Sequence, residues 1–249
     1  AILAGGDARI ALNGLELAAM TTPMEKDGSI LLNQEAILDS MQKKTSRFDA
    51  SGEEHYDTVS AMIKSMRGSD PDAAIFYLAR ALEGGEDLSF IGRRITICAA
   101  EDVGLANPQI LTLAQAAWQA ALMTGMPEAR IILAEAVIAV ATSPKSNRSY
   151  QAIDRALQDI SQGRTGEIPF HLRNAPVAGM GDLGYGEGYL YDHDFPHAIS
   201  GQPFLPEEMA DQVYYQPSDR GYESRIADWM EQVKEIRQSR KKESQGGKP

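Results

Sequence analysis

Apolar residues recur at helical spacing through roughly the first 163 positions, and the pattern then lapses until the last thirty. The clearest stripe is Ala74, Ile75, Leu78, Ala79 and Leu82, one face of a helix that Asp70 caps, Pro71 opens and Gly84-Gly85 ends. A helix over Tyr56 to Arg67 precedes it and stops at Gly68. Further helices are predicted over Asp87 to Asp102, Pro108 to Thr124, Pro127 to Thr142 and Tyr150 to Ser161. The segment from Pro127 to Thr142 is apolar around most of its circumference, which marks it as the central, buried helix.

The ends of the chain follow other patterns. Ile10, Leu12, Leu15 and Leu17 follow a Gly6-Asp7 cap in a first helix, which Asn13-Gly14 makes less regular. A turn over Thr21 to Ser29, an extended Ile30-Leu31-Leu32 and a short helix from Gln34 to Lys43 complete a unit spanning 1–45. Phe48 to Glu54 is polar and turn-rich, a linker into a helical domain over 46–168. From Pro169 to about 222, Gly, Pro, Tyr, His and Asp dominate; the many aromatics predict an irregular arm ordered against something. A helix over Tyr222 to Ser239 follows, with Arg240-Lys241-Lys242 and the Gly-rich end expected to be mobile. The last region is thus 169–249, and the fold class is all-α, helix packed on helix.

Length, composition and charge narrow the function. With 249 residues, 43% hydrophobic and 24% charged, the chain has the make-up of a globular protein with a substantial core. Its formal charge of −11 argues against a surface that grips nucleic acid everywhere, so any contact with DNA is expected from local patches or from a part of the protein outside this chain. Cys98 is the single cysteine, which excludes an intramolecular disulfide; in its apolar setting it is a buried small hydrophobe rather than a nucleophile. The most apolar stretch, Ile131 to Thr142, is too short to span a bilayer and contains Glu135, so no membrane role and a cytoplasmic location are expected.

Several residues invite a chemical reading, each against a plainer one. Lys64 and Arg67, a turn apart beside Gly68-Ser69, could hold a DNA phosphate at the next helix N-terminus; pairing with Asp70 and Asp72 across the corner is preferred. Arg93 and Arg94, with Glu101 and Asp102 further along, allow the same two readings, an Arg–carboxylate network being favoured. A hydrolase built on Glu101 and Asp102 lacks a nucleophile, a metal set and a phosphate loop. His193 and His197 are four apart as in helical metal sites, but Pro196 lies between them, and no metal is expected. Gly184-Tyr185-Gly186-Glu187-Gly188 has no preceding strand and reads as an irregular turn. No G-x-x-x-x-G-K-[ST] run occurs, so no catalytic residue is assigned.

Seven runs taken in order resemble one family. They are Thr58 to Ala74; Arg93-Arg94 with Ala100-Glu101-Asp102-Val103-Gly104; Met126 to Arg130; Pro144-Lys145-Ser146-Asn147; His171 to Ala175; Tyr189 to Asp194; and Tyr214-Tyr215-Gln216-Pro217. Together with Gly5 to Glu16, which looks like the lid helix of an AAA+ ATPase, they are similar to the replication-associated recombination protein A family, whose eukaryotic relative is the Werner helicase-interacting protein.

The resemblance implies an AAA+ lid remnant followed by a clamp-loader-like helical oligomerisation domain and a long aromatic-rich arm. It also implies a DNA-dependent ATPase of fork maintenance, recombination and repair, associated with the nucleoid. Arg9 matches the family's second-sensor arginine, which reaches the ATP phosphates. ATP and magnesium are then expected in the intact protein and neither on this chain alone, which should be catalytically inactive. The implied partners are three further copies in a homotetramer, DNA at a fork or single-strand/double-strand junction, and single-strand-binding protein. The alternative is a monomeric docking module that recruits replication proteins. The residues leave open whether the arm covers its own chain or a neighbour.

Overall fold

A computed structural model describes residues 8–24, 28–34, 36–37, 52–174 and 186–246, and among them there is no β-strand. Among the described residues eight longer α-helices carry the fold: α1 (Ala8–Thr21), α2 (Gly52–Arg67), α3 (Pro71–Glu83), α4 (Leu88–Cys98), α5 (Ile110–Thr124), α6 (Ala129–Thr142), α7 (Arg148–Ser161) and α8 (Glu223–Gly246). The chain is all-α, as its periodicity predicts.

Helices α2 to α6 enclose the core, with α6 touching each of the other four. Leu133, Ala136, Val137, Val140 and Ala141 of α6 are buried among Met62 and Met66 of α2, Leu78 of α3 and Ile91 and Ile95 of α4. Each fully buried Leu, Ile or Met stabilises this core by about 1.5–3 kcal/mol. The outer side of α6 is not covered, and Ile131 and Ile138 stand exposed there. Gly92 lets α5 come close to α4. A Cβ at 92 would collide with the Trp118 indole.

Capping side chains start the helices where the sequence places them. Asp70 Oδ1 accepts from Ala73 N at 2.9 Å and Asp87 Oδ1 from Phe90 N at 2.7 Å. Gly14 is buried within α1, which stays continuous through it.

Three boundaries differ from the expected ones. The supposed linker over Phe48 to Glu54 is helical from Gly52, since Glu53 and Glu54 suit the first turn of a helix. The helix expected over Asp87 to Asp102 is α-helical only to Cys98; a π turn over Ala99–Val103 and a 3-10 turn over Gly104–Ala106 follow. The terminal helix runs on through Arg240-Lys241-Lys242 to Gly246, because these are strong helix formers and Arg237 and Arg240 stack on Phe204 and Phe195. The proposed helix over Gln34 to Lys43 lies mostly outside the described residues.

Between α7 and α8 the described chain makes only short 3-10 turns, at Phe170–Leu172, Asp192–Asp194, Pro196–Ala198 and Glu207–Met209. Its own polar contacts hold it. Gln202 Nε2 donates to Leu190 O at 2.6 Å, and Ser200 Oγ donates to Asp192 Oδ1 at 2.7 Å. Tyr214 OH reaches back to Asp159 Oδ2 on α7 at 2.9 Å. These contacts lie within one chain.

Candidate functional site

The residues singled out in the sequence meet at one corner of the helical domain. The π turn after α4 accommodates one extra residue per turn, and it carries Asp102 inward, to 7% exposure. There Arg67, at the end of α2, donates from Nε to Asp102 Oδ1 at 2.6 Å and from Nη2 to Glu101 Oε1 at 3.2 Å. Cys98 Sγ donates to the other oxygen of Asp102 at 3.3 Å. Burial first, and then the Asp102 carboxylate, push the Cys98 thiol far above its ordinary range, so it stays protonated and unreactive. The bond to Asp102 likewise raises Arg67, whose charge is permanent in any case.

The corner continues into the loop after α6. Ser146 N donates to Asp102 O at 2.8 Å. Lys145 Nζ donates to the carbonyls of Val140 at 2.9 Å, Ala141 at 2.8 Å and Ser143 at 2.6 Å, spending all three protons on the C-terminal end of α6. Burial draws its ammonium below the ordinary lysine value, against the opposing pull of the Asp102 carboxylate.

Beneath this loop Glu223, with no solvent exposure, accepts hydrogen bonds from three hydroxyls. Ser146 Oγ and Ser218 Oγ donate to Oε2, the latter at 2.6 Å, and Tyr215 OH donates to Oε1 at 2.8 Å. Burial alone would raise this carboxyl; the three donors outweigh it and hold it below its ordinary value. Tyr222 N donates to Ala106 O at 2.8 Å beside it. At Gly221, with φ of +55°, a Cβ would strike the Ala106 carbonyl and Pro144.

The predicted residues are thus only partly brought together. Arg67 bonds to Asp102 and Glu101, not to Asp70 and Asp72: Asp70 is committed to capping α3. Arg93 and Arg94 do not take those carboxylates, since Arg67 holds them; their guanidiniums lie 5.9 and 5.1 Å from the Phe90 ring. Lys64 is exposed on the last turn of α2. Arg9 lies in the first turn of α1, and its side chain is outside the described residues. His193 sits beside Tyr191 with ring centroids 5.3 Å apart, and His197 adopts φ of +63° in its own short turn. Gly184 and Tyr185 fall outside the described residues. Gly186 and Gly188 take positive φ in a turn.

Sequence reasoning did not single out Glu223, Ser218 or the cap made by Lys145. The signal that existed was the pair of runs Pro144 to Asn147 and Tyr214 to Pro217, which flank the network without revealing that they meet. The bonds of Arg67, Lys145, Ser146, Tyr215 and Ser218 fasten helices and the returning tail to one another.

Matches to two family models identify this helical region as the C-terminal part of an AAA+ protein. Residues 68–234 match the family described as MgsA AAA+ ATPase C terminal, and residues 1–67 match the AAA C-terminal domain. The chain belongs to the first of these families, that of the replication-associated recombination protein A sequences. It is 46% identical over 217 residues to the replication-associated recombination protein A of Bacillus subtilis, covering 87% of this chain and 51% of that protein. It is 45% identical over 234 residues to an uncharacterised AAA domain-containing protein of Mycobacterium tuberculosis, covering 94% and 51%. The ATPase WRNIP1 of Dictyostelium discoideum is 33% identical over 230 residues, covering 86% of this chain and 26% of its own. The chain spans about half the length of the Bacillus subtilis and Mycobacterium tuberculosis relatives it matches.

Proposed function

We propose that this chain is the lid and assembly region of a DNA-dependent AAA+ ATPase of replication-fork maintenance, recombination and repair, and that it joins four copies into a homotetramer. The division into a lid over 1–45, an assembly domain over 46–168 and an arm with terminal helix over 169–249 belongs to this reading, as does a place in the cytoplasm beside the nucleoid. Family membership and the printed names of the relatives support the ATPase and replication roles. The observation that carries the assembly role is an uncovered apolar stripe on α7. Tyr150, Ile153, Leu157 and Ile160 are 46%, 55%, 55% and 57% exposed, and α7 buries no residue at all. A helix so strongly amphipathic costs free energy in water unless another surface covers it.

Nucleotide chemistry is assigned to the intact protein. Among the described residues no group of three His, Cys, Asp or Glu could hold a metal ion, and the sequence carries no phosphate-loop run. The residues present do not make a nucleotide cradle by themselves. In a protein of the relatives' full length, ATP and magnesium would be held by a core outside this chain, with Arg9 reaching to the phosphates from the lid; a guanidinium suits that task. The chain alone is expected to show no ATP turnover with or without DNA. In the full-length protein, Arg9→Ala should lower turnover at least ten-fold while leaving the solution mass unchanged. Turnover by this chain alone, or full activity of the variant, would overturn the reading.

The second reading is a monomeric docking module for replication proteins such as single-strand-binding protein. Exposed Tyr189, Leu190 and Tyr191 favour it, being an apolar cluster on an irregular segment. It predicts a one-chain mass in solution and capture of purified single-strand-binding protein.

A further inference from the structure

Between the loop after α6 and the segment leading into α8 lies an open cleft of about 180 Å³, lined by residues 145–148 and Gln151 on one side and Ser218, Asp219 and Arg220 on the other. Its walls are fixed to each other. Arg220 Nη1 donates to Lys145 O at 3.3 Å, and Ser146 and Ser218 share one oxygen of the buried Glu223.

The charges in this cleft are out of keeping with the rest of the molecule. On a chain with a formal charge of −11, three cations line it. The Lys145 ammonium is used up on helix carbonyls and contributes charge only. Arg148 donates only to a neutral acceptor, Gln151 Oε1, at 3.3 Å, and Arg220 only to a carbonyl. Neither guanidinium has a carboxylate partner among the described residues, whereas Arg67, Arg164 and Arg173 each have one. Asp219 also lines the cleft and Glu223 lies beside it, bonded to Ser146 and Ser218, so the three cations still outnumber the acids by one. Two guanidiniums from separate segments, held on rigid walls and facing one space, suit an oxyanion that can accept from both forks.

We infer that this cleft binds a phosphate group, with Arg148 and Arg220 as its charged donors and Asn147 and Gln151 as neutral ones. The phosphate can belong to a nucleic-acid backbone or to a small phosphorylated molecule, and the same two arginines serve either. The inference does not depend on the proposed assembly, since every lining residue comes from one chain.

The test uses the 249-residue chain and two probes, inorganic phosphate followed by calorimetry and a short fluorescein-labelled single-stranded DNA followed by anisotropy. Arg148→Gln and Arg220→Gln should each weaken binding of at least one probe ten-fold or more, and the DNA arm should steepen in its salt dependence with the wild type only. Arg130→Gln, an equal loss of charge at the other end of α6, should leave binding within two-fold, and melting curves establish that each variant folds. Loss confined to DNA identifies a backbone phosphate as the ligand; loss confined to inorganic phosphate identifies a small phosphorylated molecule. Absence of binding for both probes, or equal weakening by Arg130→Gln, overturns the inference. Because mass in solution is not the readout, its failure leaves the assembly proposal standing.

Discussion

Three hydroxyls from two segments, Ser146 on one side and Tyr215 and Ser218 on the other, donate to the single carboxylate of Glu223 in a site that water does not reach. A glutamine there would keep one acceptor and set an amide N–H₂ against hydroxyls that need one. Glu223→Gln is therefore expected to cost about 2–3 kcal/mol at neutral pH and to lower Tm by about 5–10 °C. The pH dependence follows from the sign of the shift. The folded carboxyl titrates below its ordinary value of 4.5, so its contribution is present above that pH and is lost as pH falls through the folded value. Melting curves between pH 7 and pH 3.5 should show the gap between wild type and variant constant down to about pH 4.5 and narrowing below it. A gap that widens in acid would contradict the assignment of a stabilising, ionised Glu223.

At the scale of elements, most helices were legible because their ends carry chemistry that acts locally. Asp70-Pro71 and Gly84-Gly85 bracket α3 in the sequence as they do in the structure. The π turn left no such trace: one added residue disturbs the periodicity of Leu88 to Val103 too little to be read, yet it decides that Asp102 faces Arg67. Arg67, Glu101 and Asp102 were each singled out in the sequence but in the wrong pairings, Arg67 with Asp70 and Asp72 and the two acids with Arg93 and Arg94, since the contacts that form join residues 34 and 35 apart. Glu223 was invisible as a site residue because it and Ser146 are 77 residues apart and meet only when the tail returns.

The apolar stripe of α7 supplies the prediction at this scale. Ile153→Glu with Leu157→Glu removes two side chains that are each more than half exposed, so the folding stability of a single chain should change by little more than about 0.5 kcal/mol per site. Its assembly, followed by sedimentation, should fail. A variant that assembles like the wild type would free α7 from the interface.

For the whole molecule, the matches join the chain to bacterial relatives about twice its length, and the proposed assembly needs surfaces on which copies could meet. Exposed Ile131 and Ile138 on α6 and the stripe on α7 are apolar surfaces that one chain leaves in water. Burying them between copies offsets the loss of freedom on association, which buried area alone does not guarantee. The corner of Arg67, Asp102, Ser146 and Glu223 then has a plain role, keeping the helices and the tail in one rigid body. The central claim is that this region assembles the ATPase. Light scattering of the 249-residue chain across a concentration series tests it most directly: the account predicts a constant mass four times the 27.1 kDa of one chain, and a mass of one chain at every concentration would contradict it.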